Sequence, residues 1–227
     1  MDRDAVAAIA GLDDDVRHAL YEHVRLTRAP VTREEAAGAV GISRKLAAFH
    51  LDKLVELGLL RSGFGTGRAR RVGRAPRVYE LAGADFAVRV PERAPEVLAA
   101  ILVDAVRGER GGETAEEAAL RTAREHGIAL GTAERERVRP GRVGAERATS
   151  LSEALLARHG FEPQRTRTTV RLGNCPFHPL AAAAPGLVCG INHAYISGIL
   201  AGFEVNERVT AVLAPRAGEC CVELRGA

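Results

Sequence analysis

No apolar run in this 227-residue chain approaches the length of a bilayer span; the longest, around residues 98–103, is far too short. The opening fifteen residues, MDRDAVAAIAGLDDD, lack the basic start and long apolar stretch of a secretory leader. A cytoplasmic chain without membrane contact is therefore expected. Lysine is nearly missing: Lys45 and Lys53 are the only two, so arginine supplies almost all the positive charge. No cysteine precedes Cys175, and the four that follow fit no zinc-finger spacing. No Ser/His/Asp pattern, phosphate loop or paired-carboxylate cluster is present, and single histidines such as His126 and His159 have no evident partner, so an enzyme is not expected.

What the chain does have is apolar residues enough, at 46%, to bury one or two cores, and two modest domains suit its length. The net charge of +3 says little about partners, so the placement of the charges matters more.

Both lysines fall in residues 32–60, TREEAAGAVGISRKLAAFHLDKLVELGLL, a stretch that reads as two short helices around a tight turn. Thr32 with Glu35 makes a capping box, and Ala36, Ala37 and Val40 form a small apolar face. Gly41 ends the first helix at a backbone angle that most residues avoid. Ser43 caps the second, in which Ala47, Leu51 and Leu54 share one side. The other side is basic and short: Ser43, Arg44, Lys45, Ala48, Phe49, His50 and Lys53 are the candidate contacts to DNA in a major groove. An ordinary helical hairpin in an all-α core would share this local pattern, so the flanks decide. Residues 13–26 predict a bracing helix with acids at its start and a stripe of Val16, Leu20 and Val24. After Gly58, residues 59–61 and 77–81 read as two short strands around a glycine-rich loop carrying Arg68, Arg70, Arg71 and Arg74, with Arg77 at its end and no acid among them. Such a loop suits a phosphate backbone or a minor groove; a solvated charge run is the alternative.

Residues 84–147 predict helices at 95–107 and 114–127, the second with a small-residue face of Ala115, Ala118, Ala119 and Ala123 suited to a dimer interface or a domain-bridging hairpin. Residues 131–147 are polar and arginine-rich and read as a linker. Beyond them come a helix over 149–160, a strand over 163–174, a helix over 186–203 and two strands, VTAVL and CCVEL.

The cysteines lie at the ends of these last elements. Cys175 ends a strand, Cys189 lies near a helix start, and Cys220 and Cys221 begin the last strand. Element ends are where ligands converge without straining the backbone. Strand alternation sends Cys220 inward with Val222 and Leu224 and leaves Cys221 as a bystander. Three thiolates from Cys175, Cys189 and Cys220 suit a soft metal or an iron–sulfur cluster. His193, one helical turn beyond Cys189, His178 and Cys221 are candidates for a fourth ligand. Buried thiols acting as small apolar residues remain the alternative.

Residues 13–82, through PVT, EEAA, VGIS, LAAFHLDKLVE, GLL, the arginine-rich loop and YEL, resemble the winged-helix domains of ArsR-type bacterial transcriptional regulators. That resemblance implies a homodimer reading a partly palindromic site on double-stranded DNA. The segment from NCPFHPL through LVCGINHAYISGILAGF to GECCVEL is similar to the C-terminal domain of SufR-type regulators, which carry an iron–sulfur cluster on three cysteines. By position Cys175, Cys189 and Cys220 match them. The sequences around the cysteines differ, so a relative within the wider group is implied.

The expected fold is α+β: an N-terminal tail (residues 1–12), a winged helix-turn-helix (13–83), a helical middle segment (84–147) and a small C-terminal α+β sensor domain (148–227). The expected function is a DNA-binding transcriptional regulator sensing redox or iron–sulfur status. Zinc or thiol oxidation at the same cysteines, or a small organic ligand with no metal, are the alternatives.

Overall fold

A computed structural model describes residues 2–65, 75–167 and 169–226. The chain is a mixed α+β protein that divides into two compact units, residues 1–89 and 90–227.

The first unit begins with α1 (Arg3–Gly11), capped by Asp2 and burying Ala5 and Ala8. The segment expected as an N-terminal tail is thus a helix with a buried face. Next come α2 (Asp15–Thr27), β1 (Val31–Thr32), α3 (Arg33–Val40), α4 (Arg44–Glu56), β2 (Leu60–Phe64) and β3 (Arg77–Leu81). The strands form an antiparallel sheet in the order β1-β3-β2, with Leu60 opposite Leu81 and Val31 opposite Tyr79.

Local chemistry accounts for the boundaries. Glu35 N–H donates to Thr32 Oγ1 at 3.2 Å and Thr32 N–H donates to Glu35 Oε2 at 2.8 Å, closing the capping box. Gly41, at φ +74°, ends α3 in the left-handed region. Ser43 Oγ accepts from Leu46 N–H at 3.2 Å and starts α4. Leu20, Val24, Ala36, Ala47, Leu51, Leu54, Leu60 and Tyr79 make the core. Each of the larger side chains among them contributes roughly 1.5–3 kcal/mol on burial.

The second unit contains α5 (Pro95–Arg107), α6 (Ala115–Val138), α7 (Ala145–Arg158), β4 (Pro163–Arg165), β5 (Thr169–Leu172), α8 (Leu180–Ala183), α9 (Pro185–Gly202), β6 (Val209–Leu213) and β7 (Val222–Gly226). Its sheet is antiparallel, in the order β4-β5-β7-β6. The single strand expected over 163–174 is a hairpin, with Arg165 opposite Val170 and Thr166 N–H donating to the Thr169 carbonyl at 2.8 Å.

The middle segment 84–147 is not a separate piece. α6 runs eleven residues past its expected end at Gly127 and packs along α9 in the core of the second unit. Glycines permit that approach. A Cβ on Gly127 would lie 2.1 Å from the Tyr195 carbonyl oxygen, and one on Gly131 2.2 Å from that of Ile199. Gly198 and Gly202 meet α6 equally closely, at the carbonyls of Arg124 and Ile128. Most of the small-residue face of α6 is occupied within the chain: Ala118, Ala119 and Ala123 are core residues there, while Ala115 at the helix start stays exposed. Among the described residues no helix is long and apolar enough to cross a membrane.

Candidate functional site

Two features carry chemistry, one in each unit.

In the first, α4 turns Ala47, Leu51 and Leu54 inward and leaves Ser43, Arg44, Lys45, Phe49 and Lys53 exposed, with Ala48 half-buried. Phe49 is 64% exposed, a large apolar ring among cations. Arg44 stands 4.0 Å from Glu34, and Lys53 pairs with Glu56 at 2.9 Å; both are surface pairs that exchange readily for other anions. His50, grouped by sequence with the contacting residues, is instead buried. Its Nδ1 lies 3.8 Å from Asp14 Oδ1 and makes no hydrogen bond. The helix phase that exposes Phe49 turns its neighbour into the core, so His50 is not a surface contact.

The opposite edge of α4 is fastened by a polar network. Tyr79 OH donates to Asp52 Oδ1 at 2.6 Å and accepts from Arg33 Nε at 3.0 Å, while Arg77 Nη1 lies 3.1 Å from the same Asp52 oxygen. Arg77 also stacks over the Tyr79 ring, 5.4 Å from its centroid. Burial, followed by the Asp52 acceptor, raises the Tyr79 phenol above its usual pKa. Arg77, expected at the end of the basic loop, thus serves the sheet and α4. Arg68, Arg70, Arg71 and Arg74 lie outside the described residues.

In the second unit four free cysteines from three stretches meet. Cys175 follows β5 on a turn braced from two sides. Asn174 Nδ2 donates to the carbonyls of Glu92 and Gly160 at 2.7 and 2.6 Å, and its Oδ1 accepts from Arg93. Arg93 also donates to the Cys175 carbonyl at 2.6 Å, and Ala94 N–H to the Pro176 carbonyl at 2.9 Å. Cys220 and Cys221 immediately precede β7. Cys220 N–H donates to the Leu172 carbonyl at the end of β5 (2.9 Å), and the Cys221 carbonyl accepts from Ala214 N–H beyond β6 (2.8 Å). The adjacent pair is thereby pinned between two neighbouring strands. Cys189 comes up from α9 and is the most accessible of the four.

The thiols neighbour one another in a chain, Cys175 beside Cys220, Cys220 beside Cys221, and Cys221 beside Cys189. Cys221, taken by strand alternation for a bystander, sits in the middle of it. The pair precedes the regular strand, so the alternation rule does not reach it, and both side chains are buried. The protons are unevenly shared. The Cys220 hydrogen bond, followed by those of Cys189 and Asn192, lowers the Cys221 thiol to about 6 despite its burial. The Cys220 thiol and the Phe177 backbone N–H likewise lower Cys175. Burial pushes Cys189 up to about 12, and Cys220 is raised by holding its proton between Cys175 and Cys221.

The other candidate ligands lie elsewhere. His193 Nε2 bonds the Ala211 carbonyl of β6 at 3.1 Å, and His178 is exposed. The residue that does reach the sulfurs is Asn192, fully buried, with Nδ2 3.1 Å from Cys220 Sγ and 4.0 Å from Cys221 Sγ. It lies three residues after Cys189, as legitimate a helical neighbour as the fourth, and sequence reasoning passed over it because asparagine is an uncommon ligand.

Among the described residues no group of three or more His, Cys, Asp or Glu side chains stands in the geometry of a metal site. In donor chemistry the set fits a thiophilic cation: four sulfurs, two of them acidified toward the thiolate that binds soft metals, with a buried N–H donor beside them.

Comparison with known proteins finds no matching family model, no matching curated protein and no matching solved structure.

Proposed function

We propose that this chain is a DNA-binding transcriptional regulator, acting as a homodimer on double-stranded DNA, whose second unit senses redox or iron–sulfur status through its cysteines. The observation that carries the reading is the meeting of Cys175, Cys189, Cys220 and Cys221 in one cluster, three of them buried, in a unit separate from the basic helix α4. The first unit supports the winged-helix part of the reading. Its pair of short helices is joined through Gly41 and Ser43, it exposes Arg44, Lys45 and Lys53, and a two-stranded ribbon follows directly.

Cys175, Cys189 and Cys220 would hold an iron–sulfur cluster, with Cys221 the remaining sulfur donor. Such a group supplies sensitivity to oxidants or to iron supply. The chain's own part is to present thiolates at the ends of β5 and β7 and on α9, to exclude water from three of them, and to anchor the Cys175 turn through Asn174 and Arg93. Oxygen-free purification followed by iron, sulfide and visible-absorption measurements tests this reading. Iron and sulfide in stoichiometric amounts are expected; a colourless protein without iron sinks the cluster. Gel-shift titration against promoter fragments tests the DNA part, with salt-sensitive binding expected.

Thiol oxidation at the same residues is the second reading, and the proximity of Cys189 to Cys221, both free thiols, favours it. Two neighbouring thiols form a disulfide when a hydroperoxide takes their two electrons and two protons, its O–O bond breaking to leave one water and one alcohol, or two waters from hydrogen peroxide. Peptide mapping after peroxide treatment of metal-free protein separates this from metal binding.

A further inference from the structure

Asn192 is the one amide in α9, and it is fully buried. Its Oδ1 is buried and accepts no hydrogen bond, while its Nδ2 points at the sulfurs of Cys220 and Cys221. Buried acceptors are almost always satisfied, so an amide held with one end orphaned is being held by its other end. Around it stand Cys189 one turn back on the same helix, the Cys220–Cys221 pair, and Cys175 beside Cys220. An apolar side chain of similar volume would fill the space without stranding an oxygen.

We propose that Asn192 is the positioning residue of the thiol site, donating N–H···S bonds that hold the Cys220 and Cys221 sulfurs toward Cys175 and Cys189 for a thiophilic cation. This rests on the metal-binding reading above and adds to it a residue outside the thiol set. An amide N–H aimed at sulfur withdraws electron density from it and fixes its direction, the role that outer hydrogen bonds play at metal–thiolate centres in general. Asparagine serves better here than an acid. A carboxylate in the same shape would offer no donor and would place a second negative charge against the thiolates.

The experiment uses the full chain, reduced and metal-free, titrated with Co2+ without oxygen. Affinity is read by competition with a chelator, and sulfur coordination by the thiolate-to-cobalt charge-transfer band. Asn192→Asp keeps the shape and removes the donor; Asn192→Leu keeps the volume and removes both polar atoms. Circular dichroism and the thermal midpoint establish that each variant folds. The wild type is expected to bind one Co2+ per chain with a charge-transfer band. The variants are expected to lose about ten- to a hundredfold in affinity, the range for outer hydrogen-bond partners of metal ligands. Their band should move to longer wavelength, because sulfurs without the N–H donor release electrons more easily, a shift that loss of packing alone does not produce. A folded Asn192→Asp that binds Co2+ as tightly as the wild type, with an unshifted band, overturns the role of Asn192 and leaves the metal site standing. A wild type that binds neither Co2+ nor iron overturns the metal reading, and this inference with it.

Discussion

Adjacent residues in this chain repeatedly have opposite fates, decided by helix phase and by where a strand begins. On α4, Phe49 is exposed while His50 is buried against Asp14. On α9, Asn192 reaches the sulfurs while His193 bonds the Ala211 carbonyl. Both histidines have the chemistry of a contact or ligand and neither has the position. Arg44 is exposed on α4, so under the proposed DNA-binding function Arg44→Ala is expected to weaken DNA binding about equally for all sequences and to reduce the slope of log affinity against log salt by about one. An unchanged slope in gel-shift titrations across salt concentrations would remove Arg44 from the interface. Tyr195 yields a prediction of a different kind. Burial pushes its phenol from 10.0 up to about 12, so its folded-state pKa lies above the unfolded one. Its contribution to stability is then full below pH 10 and is lost as the pH rises toward 12. The thermal midpoint of the wild type should fall across that window, and Tyr195→Phe should flatten that part of the fall.

Among the elements, α6 and α9 matter most to the thiol site, since α9 carries both Cys189 and Asn192 and α6 is its support. Their contact depends on four glycines spaced four apart on each helix, Gly127 and Gly131 against Gly198 and Gly202. A Cβ on Gly198 would stand 2.2 Å from the Arg124 carbonyl oxygen, a backbone atom that cannot turn aside. Gly198→Ala is expected to destabilise the protein by roughly 3 kcal/mol, the upper end of overpacking costs, measured by urea unfolding. Gly186→Ala, with no atom within 4 Å of the added methyl, should be neutral or stabilising in the same measurement. The apolar character of α9 is legible in its sequence, but its partner is not, because a four-residue glycine spacing identifies a close approach and never says to which helix. The extent of α6 was hidden for a related reason. Its second half is polar and arginine-rich, and charged residues on the solvent side of a packed helix look like a linker when the packed side is glycine and alanine.

At the scale of the molecule, the division falls at residues 89 and 90, and everything the thiol site uses lies on one side of it. A fragment of residues 90–227 is therefore expected to fold and to bind Co2+ with the affinity of the whole chain. A fragment of residues 148–227, cut where the C-terminal domain was expected to start, lacks α5 and α6 and should fail to give a cooperative thermal transition. By itself the sequence determined the mixed α+β class, the capped pair of helices α3 and α4 with its basic face, and the set of cysteines. Those follow from local rules: capping residues, glycine at positive φ, apolar periodicity and residue identity. Only the tertiary structure decided which face of α4 carries His50, that Cys221 belongs with the other thiols, that α6 is core to the second unit, and that Asn192 completes the site. The reason is the same in each case. A thiol cluster is built from chain segments far apart in sequence, and its geometry is set by the strands and helix that bring them together, so no local pattern around any one cysteine contains it.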